Sequence, residues 1–158
     1  MAAQAILAAR ACGCSGTVIV RADSAYYKAA VIAAVRRNGA LFSVTAPVTP
    51  AIRKAIDAIP EDAWTAIEYP QAIWDDQLRC WAPDAETTYT TFTSKKKALH
   101  VTARLIVRRV RDKGKAAPGQ GELFPAWRYH AVFTDSPFEL VQAEEQHRGL
   151  ISEYERAA

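Results

Sequence analysis

Apolar residues recur with two different periods along this chain. In the first sixty residues, helical and strand spacings alternate. Residues 2–11 are alanine-rich with Ile6 and Leu7, a helix that Cys12-Gly13 ends. Val18, Ile19 and Val20 are consecutive, β-branched and apolar, so 17–22 reads as a short strand buried on both faces. Residues 25–38 follow as a helix with Tyr27, Val31, Ala34 and Val35 on one face. Arg36 and Arg37 fall in its last turn, and Asn38-Gly39 stop it. A second strand covers 40–45. Thr49 then caps a short helix to Ala58, with Pro50 at its first position.

From Trp64 the spacing shortens. Residues 65–69, 73–81, 87–93, 101–110 and 128–134 are rich in Thr, Tyr, Trp, Val and Ile and read as strands. Pro70, Pro83 and a Lys-Gly-Pro stretch at 113–121 punctuate them. The chain closes on a helix, because Ser136-Pro137-Phe138-Glu139 supplies an N-cap, a first-turn proline and a Glu at the third position. Phe138, Val141, Leu150, Ile151 and Tyr154 give it an interrupted apolar face. The class is α/β with a β-rich segment before the closing helix.

With 158 residues, half of them hydrophobic, the chain suits one globular domain. No apolar run is long enough to span a bilayer, and residues 1–11 lack the pattern of a secretory signal. Three cysteines, Cys12, Cys14 and Cys80, cannot all pair, so a reducing compartment is the simplest reading. Cys12-Gly13-Cys14 lacks the companion ligands of a zinc site.

The net charge of +3 is divided into blocks. Residues 1–54 carry seven Lys/Arg and one Asp, and residues 55–92 carry eight Asp/Glu and one Arg. Residues 95–115 carry nine Lys/Arg and one Asp, and residues 135–158 carry six Asp/Glu and two Arg. Such blocks suggest a surface that faces a polyanion beside acidic regions that do not touch it; an ordinary solvated face is the plainer reading.

Three constellations can carry chemistry. Asp23 closes the strand at 17–22, where α/β sheets place ligands, and carboxylates on the closing helix (Glu144, Glu145, Glu153, Glu155) can join it around Mg²⁺. The same Asp23, with Ser24, also suits a helix cap. Secondly, Thr102, Arg104 and Arg108 share one face of the strand at 101–110, with Ala103, Leu105 and Val107 on the other. Arg109 and Arg111 break this alternation, which suggests a bulge. With Lys95, Lys96, Lys97, Lys113 and Lys115 nearby in sequence they make a phosphate-contacting hairpin or a charged edge strand. Thirdly, His147-Arg148 can position a phosphate near a helical Glu. Trp64, Trp74, Trp81 and Trp127 read as core anchors.

The segment Val20-Arg21-Ala22-Asp23-Ser24-Ala25-Tyr26-Tyr27 resembles the second-aspartate segment of bacterial insertion-sequence transposases with a DDE domain. The resemblance continues in Ala58-Ile59-Pro60-Glu61-Asp62-Ala63-Trp64, Phe92-Thr93-Ser94-Lys95 and Val101-Thr102-Ala103-Arg104-Leu105-Ile106-Val107-Arg108-Arg109-Val110. It ends with Pro118-Gly119-Gln120-Gly121-Glu122-Leu123-Phe124 and Tyr129-His130-Ala131-Val132-Phe133-Thr134-Asp135. Roughly 10–148 is covered.

The resemblance implies a partial RNase H-like core (1–60), a β-rich insertion (61–134) and a closing helix (135–158). It implies a Mg²⁺- or Mn²⁺-dependent enzyme that nicks transposon ends and joins them to target DNA. Asp23 and Glu153 become its catalytic, metal-binding carboxylates, with Glu155 the alternative to Glu153. Lys95, Lys96, Lys97, Arg104, Arg108, Arg109, His147 and Arg148 become the DNA-binding set. His147 and Arg148 match a stretch that leads to the family's Glu, but the tail from Gly149 departs from that pattern. The family's first Asp falls upstream of this chain, so strand transfer by the chain alone is expected to be negligible. A non-catalytic DNA-binding remnant and a relic unable to fold are the other expectations. The intact enzyme admits a homo-oligomer, no membrane partner is implied, and the setting is the bacterial cytoplasm, at the nucleoid when DNA is bound.

Overall fold

The computed structural model of the protein describes residues 2–68, 74–76, 79–111 and 127–148. Helix α1 (Ala2–Ala11) precedes strand β1 (Ile19–Ala22) and a 3-10 turn (Ser24–Tyr26). Helix α2 (Ala29–Arg37), strand β2 (Leu41–Ala46) and helix α3 (Pro50–Asp57) follow. Then come a second 3-10 turn (Glu61–Ala63), the short strands β3 (Thr65–Ala66), β4 (Trp74–Asp75) and β5 (Cys80–Trp81), and the long strand β6 (Pro83–Thr91). A third 3-10 turn (Lys97–Leu99) leads to β7 (Val101–Arg111), β8 (Trp127–Thr134) and helix α4 (Leu140–Arg148).

The fold is mixed α/β. Among the described residues, four α-helices accompany a mixed sheet of six strands, in the order β1-β2-β8-β7-β6-β3, and a separate β4–β5 hairpin. β1 and β2 are parallel, with Ala22 level with Val44; the remaining ladders of the large sheet are antiparallel. β6, β7 and β8 therefore continue the sheet that β1 and β2 begin.

One sheet face is apolar. Val18, Val20, Phe42, Val44, Ala85, Leu105, Val107, Ala131 and Phe133 meet Ile6 of α1, Ile32 and Val35 of α2, and Ile52 and Ile56 of α3. Each buried Ile or Phe contributes about 2 kcal/mol. The opposite face is covered by α4 and is largely polar, carrying Ser43, Asp84, Arg104, Arg108 and Thr134.

Several sequence expectations change here. β1 is only half-buried, because among the described residues it has a strand neighbour on one side alone. α2 starts at Ala29 rather than at 25. Tyr27 leaves the helical path, packs edge-on to Phe133, and donates its hydroxyl to Thr91 Oγ1 at 2.7 Å. Of the expected face of α2, Val35 is fully buried; Ile32, not Val31, is the other fully buried position. Within 73–81 the described residues form two short strands, Trp74–Asp75 and Cys80–Trp81, with Trp74 opposite Trp81. Pro83 opens β6 instead of separating strands, in the first position, where a missing amide is tolerated. Trp74 is 45% exposed and is no core anchor.

The β7–β8 register runs without interruption from Arg104↔Thr134 to Arg111↔Trp127, so there is no bulge. Arg109 and Arg111 instead take the face of Leu105 and Val107, beyond the apolar core. There the Arg109 guanidinium lies 4.4 Å from the Trp64 ring centre and 4.7 Å from that of Trp127. α4 begins at Leu140, later than the capping sequence implies. Arg104 accounts for this by donating to the carbonyls of Ser136 (2.9 Å) and Phe138 (2.5 Å), which hold the preceding turn open. Thr49 does cap α3, its hydroxyl accepting from Ile52 N at 3.3 Å.

Candidate functional site

Asp23 follows the carboxyl end of β1 and is exposed. Its Oδ1 accepts from Ala25 N at 2.9 Å, so it caps the 3-10 turn after it. The cap and the strand-end position coexist. Thr45 follows Val44, the register partner of Ala22, and so stands at the same end of the sheet. The last turn of α4 arrives there: Thr45 Oγ1 lies 3.0 Å from His147 Nε2, and Ser43 Oγ lies 2.8 Å from Nδ1. His147 is buried, and burial, with Arg148 and Arg21 adding positive charge, pushes its imidazole down to about 4.

Arg148 closes the described part of α4 and donates to Glu144 one turn earlier. Glu144 is fully buried, and its Oε1 lies 3.2 Å from Arg108 Nη2. Arg108 in turn grips Asp84 with both nitrogens, Nε to Oδ1 at 2.9 Å and Nη2 to Oδ2 at 3.2 Å. Two guanidinium groups and two carboxyl groups thus meet beneath α4. Burial, reinforced by Glu144 and opposed by Arg148, pushes the Asp84 carboxyl up to about 8. Burial likewise draws Arg108 down to about 10. Breaking such a set by removing one member is costly, because it leaves a buried charge uncompensated.

The expected DNA-binding residues divide. Lys95, Lys96 and Lys97 are exposed on the connection between β6 and β7. Arg108 is 2% exposed and engaged with Asp84 and Glu144. Arg104 holds Glu86 and the turn before α4. Arg109 binds Glu61 and stacks between two tryptophans. His147 faces the sheet. The basic strand is thus turned onto the acidic block, so the expectation that acidic regions stand apart from it is corrected. Glu153 and Glu155 lie outside the described residues. Glu145 is exposed on α4.

Among the described residues no three His, Cys, Asp or Glu side chains converge as a metal cage. Asp23 is still an oxygen donor of the type Mg²⁺ takes, and that ion is commonly held by one or two carboxylates, waters and substrate phosphates. The described residues therefore fit a one-carboxylate contact. A cleft of about 290 Å³ lies beside α4, lined by Thr17, Ile19, Arg21, Ser43, Ser136, Ala143 and Gln146. Its lining carries no carboxylate, which separates it from Asp23. The burial of Glu144 was not readable from its helix alone; the nearest signal was an acidic residue matched in charge to Arg108 on a distant strand. No family model matches the chain, and no curated protein matches it.

Proposed function

We propose that this chain is part of a DDE-type transposase, with an RNase H-like core, that acts on DNA with Mg²⁺ or Mn²⁺. One observation carries the reading: Asp23 follows a parallel strand at the sheet end to which α4 brings His147 and Arg148. That is where open α/β sheets place their ligands. Asp23 is a metal ligand in this reading, and Glu153 or Glu155, C-terminal to α4, supplies a second carboxylate. A bound ion supplies Lewis-acid stabilisation of charge on phosphoryl oxygens. Asp23 holds and orients it, and Lys95 to Lys97 attract the phosphate backbone.

The test is Mn²⁺ titration of the ¹⁵N-labelled chain. Amides flanking Asp23 and at the end of β2 broaden first, and Asp23→Ala abolishes this. A short DNA duplex shifts the broadening to lower Mn²⁺, since phosphate oxygens complete the ion's shell. Equal broadening in Asp23→Ala removes the metal site from the proposal, and indifference to DNA removes the substrate. The exposed lysines favour a second reading, a DNA-binding remnant without chemistry. It requires DNA binding unchanged by Asp23→Ala and by chelation.

A further inference from the structure

The end of α1 carries a pair of thiols that the proposed DNA chemistry does not use. Cys12 and Cys14 are both exposed and unpaired, and one glycine separates them. That glycine has φ +90°, with the Gly13 amide donating to Arg10 O at 3.0 Å and the Cys14 amide to Ala9 O at 3.1 Å. These two bonds are the Schellman ending of a helix, with Gly13 in the left-handed position. A left-handed residue mirrors helical geometry, which sets the flanking Cα atoms about 5.4 Å apart. Disulfides span Cα separations of roughly 4.4–6.8 Å. Arg10 fixes the turn from beneath, donating to Cys14 O at 2.8 Å and Gly16 O at 2.6 Å. Apart from its two chain neighbours, no residue has a heavy atom within 4 Å of where a Gly13 side chain would start, so the turn is open to a small reagent. Neither thiol is part of the core, so adjustment at Gly13 breaks no buried contact.

We infer that Cys12 and Cys14 form a dithiol site that exchanges with low-molecular-weight disulfides and closes reversibly to a Cys12–Cys14 bond. One cysteine, as thiolate, attacks a sulfur of the external disulfide and forms a mixed disulfide, releasing one small thiol. The other thiolate then attacks the protein-side sulfur and releases the second small thiol. The protein loses two electrons and two protons, and the external disulfide gains them. Tethering makes the second step faster than capture by another small molecule. A ring this small opens readily again in excess thiol.

The test uses the full chain and oxidised glutathione, with an acid quench and intact-mass analysis. The expected product is lighter by two hydrogens, with Cys80 still alkylated by iodoacetamide, and reduced glutathione restores the starting mass. Cys12→Ser and Cys14→Ser each accumulate a glutathione adduct instead. Four results would overturn the inference: stable glutathione adducts on the unsubstituted chain, pairing through Cys80, a disulfide between two chains, or no change in mass.

Discussion

At the residue scale, His147 is held by a hydroxyl at each ring nitrogen, and its depressed basicity makes folding pH-dependent. An unfolded histidine titrates near 6.5 and the folded one near 4, so protons bind the unfolded chain first. The contribution of neutral His147 is complete above about pH 6.5 and is lost as pH falls towards 4. Asp84 works in the opposite sense: its raised folded value favours the protonated, folded form at low pH and is lost as pH rises to about 8. Comparison with His147→Gln isolates the histidine. The stability gap between the two chains in urea is expected to shrink by about 2 kcal/mol from pH 7 to pH 5. A gap independent of pH would mean the imidazole is already solvated. Asp23 was legible in sequence in both of its roles, because a strand end and a cap depend on neighbours within a few residues. Glu144 was legible only as one acidic residue among four, because what buries it is Arg108, brought from another strand.

At the element scale, α4 docks through buried charge as well as through a small apolar cluster in which Leu140 and Ala143 meet Ile106 and Val132. Its buried positions are Ala143, Glu144 and His147, while Val141 is 44% exposed. Arg108→Ala leaves Asp84 and Glu144 without their shared cation, a loss of about 3–5 kcal/mol by denaturant titration. Amides of α4 are expected to exchange faster than those of α3 in this variant, because α3 is anchored by Ile52 and Ile56. Retained stability within about 1 kcal/mol would mean that Arg148 alone suffices. α1, α3 and β2 were readable because alanine content, a Thr-Pro helix start and a short apolar run are local signals that the tertiary structure does not override. The start of α4 was not: the capping sequence is present, but Arg104 takes the carbonyls a helix would have used. Arg109 misled for a related reason, since guanidinium groups stacked on indoles look like a broken alternation in a one-dimensional reading.

At the scale of the whole molecule, the charge blocks close on one another. Arg104 meets Glu86, Arg108 meets Asp84 and Glu144, Arg109 meets Glu61, and Arg111 lies 3.6 Å from Asp75. Three adjacent lysines of the basic block, Lys95 to Lys97, remain exposed. Replacing all three with Gln is expected to lower the slope of log affinity for duplex DNA against log salt by about 2.7. An unchanged slope would show that DNA is held elsewhere. Composition could reveal the blocks but not their partners, since pairing depends on the order of strands.

The junction of β2 with β8 also sets a timetable for making this protein. Thr134 donates to Phe42 O across 92 residues of chain, so the first two strands leave the ribosome long before the strand that flanks them. At ordinary elongation rates that interval is roughly 5–20 s. For that time the edge of β2 is open to any other extended chain. An available holdase should therefore raise the yield of native protein, measured as the soluble fraction with and without it.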